Sequence, residues 1–253
     1  MKIEFELDGS GNRIGVPVGV VTASRPDNSP IGGERVRLER LSVDHSPDLW
    51  EAFAATESTT LWTYMPQGPF ETESAQRDWI RSVADSVDPF FYAIVDSATD
   101  RAVGIASYLR IDPVNGVIEV GYLSFSGALQ RTPSATEAMH LMAKNAFDHG
   151  FRRYEWKCNV LNAPSISAAE RLGFSFEGVF RNAVVVKGHN RDTAWFAFTD
   201  SDWNDGIRAA HEHWLRAENF DADENQLERL ADLTTPFRHS TFPTLTVDFV
   251  AEH

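Results

Sequence analysis

Between Gly121 and Glu137 the chain reads GYLSFSGALQRTPSATE, a strand pattern that passes through a turn directly into a helix pattern. A helix that begins this way presents backbone N–H groups with no partner inside the helix, and its dipole adds partial positive charge at the same end. Together they suit an anion, above all a phosphate. Arg131 stands where it would add a charge-assisted contact. Two residues compete to cap the helix: Ser134 with Glu137 has S-x-x-E capping-box spacing, whereas Thr132 would place Pro133 at the first helical position. Either choice predicts free amides from Ser134 onward. The same residues would also serve an ordinary capped helix beside an exposed arginine.

Other residue types able to do chemistry are few. The chain has one cysteine, Cys158, which excludes an intramolecular disulfide and any multi-cysteine metal site. Cys158 falls inside a strand pattern, which suits a small buried apolar side chain better than a nucleophile needing a lowered pKa and a nearby base. His211 and His213 flank Glu212, but residues two apart diverge on a helix, unlike the two histidines of HExxH. His189 stands apart in a turn. No metal is expected.

The elements that would position these residues follow from periodicity. Residues 1–33 show no helical pattern and read as an accessory arm, with a short strand at the start and a punctuated stretch, SRPDNSPIGG, at its end. From Glu34 the pattern becomes regular. A strand around Val36–Leu38 is followed by helices over Asp44–Ala54 and Thr72–Val83, with the aromatic loop LWTYMPQGPF between them. Three strands, 90–95, 102–111 and 116–125, are separated by gaps short enough to make them antiparallel neighbours. A helix over 134–149 stops at Gly150, a strand covers 154–160, a short helix holds Ser165–Arg171, and a strand pair covers 174–186 and 193–199. This is an α/β chain around a single mixed, mostly antiparallel sheet flanked by helices, not a repeating βαβ pattern. The division is an arm over 1–33, a domain over 34–203 and a helical extension over 204–253. Trp203, Ile207, Ala210 and Trp214 would line one helix over 202–218, with a second short helix through Leu227, Leu230 and Leu233. The alternation of Leu245, Val247 and Phe249 would make a terminal strand.

The chain's 253 residues carry a formal net charge of -14. Residues 200–253 hold 12 Asp or Glu against 4 Lys or Arg, so the extension is the most acidic part. No basic block is present to track a phosphate backbone, which argues against nucleic acid as a partner. An acidic exterior suits cationic, amine-bearing substrates and also simply keeps a protein soluble. No run approaches the length of a membrane span and no signal-peptide pattern opens the chain, so a soluble cytoplasmic protein without membrane contact is expected. The extension's apolar stripe and possible edge strand favour a homodimer.

The segments IEVGYLSF, LQRTPSATEAM and CNVLNAPSISAAERLGFSFEG resemble the GCN5-related N-acetyltransferases, in particular the branch of ribosomal-protein N-terminal acetyltransferases. The similarity spans roughly residues 34–203. Asn162, Ser165, Arg171, Leu172, Gly173 and Phe174 stand in the family's order and spacing. The resemblance implies an acyl-CoA N-acyltransferase fold with a splayed central strand pair, acetyl-CoA as cofactor and an N-acetyltransferase activity.

On that resemblance, the main chain of Leu123, Ser124 and Phe125 holds the pantetheine arm. Gln130, Arg131, Thr132, Ser134, Ala135 and Thr136 form the pyrophosphate loop, in which Pro133 replaces the first glycine and removes one donor. Asn162 and Ser165 match positions at the thioester end, Asn162 serving equally as a helix cap. Glu119 matches a carboxylate that takes the proton of the attacking amine, and Ser165 a hydroxyl that protonates or positions the sulfur. Alternation leaves open whether Glu119 faces the site or solvent. Tyr154 and Tyr122 are weaker acid candidates. The acceptor pocket is expected among Trp62, Tyr64, Met65, Trp79, Tyr122 and the hairpin at 184–191, taking a small amine or a peptide. The rival reading is a non-catalytic acyl-CoA-binding regulator.

Overall fold

The run FFYAIV, apolar at every position, is buried at every position, as a strand covered on both faces must be. Phe90, Tyr92 and Ile94 belong to one core, and Phe91, Ala93 and Val95 to another. The sheet between those cores organises the computed structural model, which describes residues 4–56, 59–222 and 225–245.

The strands in chain order are β1 (Phe5–Leu7), β2 (Arg13–Gly15), β3 (Ile31–Gly32), β4 (Val36–Arg40), β5 (Phe90–Asp96), β6 (Arg101–Asp112), β7 (Val117–Phe125), β8 (Arg153–Asn159), β9 (Ser175–Val186) and β10 (His189–Thr199). β1 and β2 form a separate hairpin; the other eight make one sheet in the order β3-β4-β5-β6-β7-β8-β10-β9. Every pairing is antiparallel except β7 with β8. The main helices are α1 (Ser46–Ala54), α2 (Glu73–Val83), α3 (Pro133–Asp148) and α4 (Ala163–Arg171). Leu49 of α1 and Ile80 of α2 pack in the smaller core with Phe91 and Ile105. α3 and α4 cover the opposite face, where Ala138, Met142 and Ala169 meet Ile118, Val120, Trp156 and Phe174.

The acidic extension is part of that larger core. After a short turn of helix, α5 (Asp200–Asp202), the chain runs through a π turn at 203–207 into α6 (Arg208–Trp214), and α7 (Leu230–Thr234) follows. The continuous helix expected over 202–218 is therefore interrupted. At the break Gly206 leaves the helical conformation (φ 170°, ψ -19°), and a Cβ there would lie 1.9 Å from the Phe237 ring. Trp203, Ile207 and Trp214 are buried against the body of the same chain, so the apolar stripe is consumed internally. α7 begins only at Leu230, leaving Leu227 exposed. Most of the expected terminal strand, including Val247 and Phe249, lies outside the described residues. The arm is docked from Ser24, whose N–H donates to His149 O (2.9 Å), and Arg25, which reaches Ile111 O (3.2 Å). Val16, Val18 and Val20 before it are exposed.

The extension buries two imidazoles. His140 of α3 lies 5.7 Å from His211 of α6, ring to ring, with Trp203 beside both. Burial pushes His140 down to about 4 and, more completely, His211 to about 3. In the unfolded chain both take up a proton near the ordinary value of about 6.5. The unfolded state therefore binds more protons below that pH, and stability falls as pH drops from about 6.5 toward 4. Urea midpoints should fall between about pH 7 and pH 5. The His211→Gln variant, which keeps a donor for Leu172 O (2.9 Å), should show a flatter profile; an equal slope would remove His211 from the account.

Candidate active site

β7 and β8 pair in parallel from Val117↔Arg153 to Val120↔Trp156 and no further. Each then continues with its other neighbour, β7 with β6 as far as Phe125↔Gly104 and β8 with β10 as far as Asn159↔Thr193. A bulge marks the place where they part. Pairing moves from Ser107↔Gly121 to Ile105↔Ser124, so Tyr122 and Leu123 together oppose Ala106. Tyr122 takes the left-handed conformation, φ 52°. The extra residue bends the strand and leaves the β8-facing edge of residues 121–125 without a strand partner. That edge includes the main chain of Leu123, Ser124 and Phe125, which the resemblance assigns to the cofactor arm.

Beyond the edge, the loop to α3 is tightly wound. The Leu129 and Gln130 N–H groups donate to Ser126 O, and the Gln130 side chain turns back to Phe125 O (2.7 Å). Thr132 is the cap: its hydroxyl donates to Leu129 O (2.7 Å) and accepts from Ala135 N–H (3.2 Å). The Ala135 amide is thus engaged, as is that of Gly127 by Thr56 Oγ1 (2.8 Å). Pro133 occupies the first helical position, where the missing N–H has no helical acceptor to lose. Ser134 remains in the first turn without an intrahelical acceptor, with Arg131 exposed and left-handed (φ 62°) before it. The Thr136 hydroxyl accepts from Arg171 (3.0 Å). Glu137 closes no capping box. It crosses to the start of β4, accepting from the N–H groups of Glu34 (3.1 Å), Arg35 (2.7 Å) and Val36 (2.8 Å).

Glu119 lies two residues before the opening, on the face opposite α3, and is only 4% exposed. Lys157 Nζ (2.8 Å) and Arg110 (2.9 Å) both sit on its Oε2. Oε1, 3.8 Å from where a Cβ on Gly121 would stand, has no hydrogen-bond partner among the described residues. Burial raises the proton affinity of Glu119 above the ordinary carboxylate value, although Lys157 and Arg110 pull it down. Lys157 is itself buried, bonded to Glu155 (2.7 Å) and seated 3.7 Å above the Trp195 ring. Glu155 continues to Arg153 (2.7 Å). At Glu155 burial opposes ionisation but is outweighed by Lys157 and Arg153, and its pKa is lowered. The sequence reading missed Lys157, Arg110 and Glu155. Their signal is strand parity: the register Glu119↔Glu155 puts Glu119, Glu155 and Lys157 on one face.

Residues 35–175 match the model of the acetyltransferase (GNAT) domain. A GCN5-related N-acetyltransferase from Brucella melitensis is 39% identical and superposes with a TM-score of 0.82, covering 85% of this chain and 98% of that one. The chain belongs to the GNAT acetyltransferase family. An uncharacterised N-acetyltransferase, p20, of Bacillus licheniformis is 26% identical over 67% of this chain and 96% of its own. The ribosomal-protein-serine acetyltransferase of Escherichia coli is 29% identical over 39% of this chain and 55% of its own. The relation to the ribosomal-protein acetyltransferase branch is a broad one.

In this GNAT fold the remaining candidates take different places. Asn162 caps α4 through Oδ1 to Ser165 N–H (3.3 Å). Ser165 Oγ accepts from Trp156 Nε1 (3.0 Å). Cys158 is buried, and burial pushes its thiol up to about 11, so it stays protonated and is not a nucleophile. Tyr154 is fully buried in the core with its hydroxyl unpartnered, which removes it as an acid at the opening. His211 faces inward to Leu172 while His213 reaches Glu228, so the two imidazoles diverge. No cluster of three metal-ligating side chains and no helix able to cross a membrane occurs among the described residues.

The loop between α1 and α2 is tied down twice. Tyr64 OH donates to Leu161 O (2.9 Å), just past the open end of β8, and Lys187 at the β9–β10 turn donates to Trp62 O (2.7 Å). Trp62 packs between Phe53 and Phe70, Trp79 between Phe70 and Phe91, and Tyr122 against Phe91. Met65 is half-buried, its N–H donating to Trp62 O. Arg191 is partly buried with Nε unpartnered, and burial holds its guanidinium below the ordinary value.

Proposed function

We propose that the chain transfers the acetyl group of acetyl-CoA to a primary amine, on a small molecule or a peptide N-terminus, by direct attack of the neutral amine. The observation that carries this reading is a buried carboxylate with one free oxygen, Glu119 Oε1, beside the bulge where the sheet opens. The residues present fit the cofactor. The unpaired edge of residues 121–125 suits an amide-bearing arm added as a strand, and Ser134 N–H with Arg131 suits a pyrophosphate.

When bound, acetyl-CoA supplies the activated acetyl thioester. Glu119 takes the proton of the incoming ammonium on Oε1, directly or through one water. Lys157 and Arg110, both on Oε2, favour the ionised form that can act as a base. Backbone N–H groups in 123–125 offer donors for charge developing on a carbonyl oxygen. Ser165, whose Oγ accepts from Trp156 and also neighbours the Cys158 thiol, is the hydroxyl that would position or protonate a departing sulfur. Pro133, the main support for a non-catalytic acyl-CoA binder, costs the helix no hydrogen bond at its first position, and the one donor it removes from the loop leaves Ser134 N–H and Arg131 beside it.

Thiol release from acetyl-CoA across a panel of amines and short peptides, beside calorimetric binding of acetyl-CoA, tests the reading. Amine-dependent release is expected. Tight binding with no turnover on any acceptor would favour the regulator, and no binding would overturn the cofactor assignment.

A further inference from the structure

The ion pairs on the face of Glu119 form an alternating chain of three cations and three carboxylates: Arg110 (2.9 Å) and Lys157 (2.8 Å) on Glu119, Lys157 on Glu155 (2.7 Å), and Arg153 on Glu155 (2.7 Å) and Glu177 (2.8 Å). That chain is balanced, and Arg191 is left over. It stands on the same face, because Trp195 lies opposite Lys157 and Thr193 opposite Asn159, and alternate residues of a strand share a side. Neighbouring Asp192 falls on the other side of β10, where it accepts from Asn182 N–H (2.7 Å) and Asn190 (3.0 Å). The Arg191 guanidinium has no hydrogen bond or ion pair among the described residues. Its Nε is closed off while the residue as a whole is only partly buried, so the open end is the pair of terminal nitrogens. That fork matches the two oxygens of a carboxylate. A cation drawn partly out of water with no anion beside it is costly, which is what a site waiting for an anion looks like.

Arg191 also lies close to the proton acceptor. Glu119 is near enough for its charge to act on Arg191, and Arg110 near enough to oppose it; such influence fades beyond about 10 Å. A small molecule that carries both an amine and a carboxylate, with one hydrogen bond at each end, spans a distance of that order. The pyrophosphate expected at Ser134 is not the anion in question, since this face is the one opposite α3. We infer that Arg191 selects the acceptor: the amine that Glu119 deprotonates belongs to a molecule with a carboxylate, and that carboxylate pairs with the terminal nitrogens of Arg191. The inference rests on the proposed acetyl transfer for the amine and on Arg191 alone for the carboxylate.

The common L-amino acids with a primary α-amine, each beside its primary amide, make the panel. Losing a charge-assisted pair costs roughly ten- to a hundredfold. The kcat/KM of the best acid relative to its own amide should therefore fall by that factor in Arg191→Met. It should fall less in Arg191→Lys, which keeps the charge without the fork. Comparing ratios cancels the different basicities of the two amines. Arg191→Met keeps the aliphatic stem and loses no bond, so it should fold as the native chain does, and Arg191→Lys carries the test if it does not. A ratio that stays the same, as when Arg191→Met slows acids and amides alike, would overturn the inference. Calorimetry with the same panel in the presence of CoA, which has no acetyl group to give, reads recognition without reaction. An acid that binds the native chain about tenfold or more tighter than it binds Arg191→Met supports the inference even if no amine is turned over. Amides bound as tightly as acids, or no acid bound at all, would overturn it.

Discussion

Glu119→Gln is expected to lower kcat for amine-dependent thiol release by about two to four orders of magnitude, the usual contribution of a positioned general base. Acetyl-CoA affinity by calorimetry should change by less than about threefold, because the open β7 edge and the helix start are elsewhere. Glutamine keeps the shape and can still accept from Lys157 and Arg110, so fold and cofactor site persist while the proton acceptor is lost. Lys157 makes the prediction sharper. It lowers the proton affinity of Glu119 against the effect of burial, so Lys157→Met should raise it further. A base works only when deprotonated, and the acid limb of kcat/KM should therefore move to higher pH in that variant, with the plateau reached later. A purely structural lysine would lower the rate without moving the limb. Full activity in Glu119→Gln would remove the base assignment and leave the fold assignment untouched.

The order of elements was legible because the signals behind it are local. Alternation in Val36–Leu38, the short polar gaps on either side of 101–112, and Gly150 after the central helix all act within a few residues, and each boundary fell close to where these residues placed it. Glu119 was legible as a candidate through resemblance, but its surroundings were not. Its face and its buried lysine depend on the parallel register with β8, which joins segments more than 30 residues apart. The interrupted extension was hidden for the same reason: nothing near Gly206 in sequence announces that Phe237 will fill the space of its missing side chain. The sequence offers Tyr64 and Lys187 only as candidates for an acceptor site; the bonds by which they tie down the loop between α1 and α2 needed the positions of Leu161 and Trp62.

The capping motif shows how a correct local pattern can be used for something else. Ser134 and Glu137 have capping-box spacing, and if they formed that box Ser134→Ala would cost about 1 kcal/mol while Glu137→Ala would cost little more. The structure gives the cap to Thr132 and turns Glu137 into a strut between α3 and β4, accepting three backbone N–H groups at 34–36. Removing the carboxylate strands those donors in a site where Glu137 itself is 5% exposed. At roughly 1–3 kcal/mol for each buried donor left unpaired, and allowing water to reach the outermost, Glu137→Ala should lose about 3–5 kcal/mol. That is a large part of the total stability of a typical domain. Ser134→Ala should stay within about 0.5 kcal/mol. Urea unfolding with an unchanged slope measures both, and Glu137→Gln should fall between them because its amide oxygen can still accept. Gly33 gives an independent check. A Cβ there would stand 2.7 Å from Glu137 Oε2, so Gly33→Ala should push the carboxylate off its donors and reproduce part of the Glu137→Ala loss. A costly Ser134→Ala beside a tolerated Glu137→Ala would restore the capping box and refute the strut.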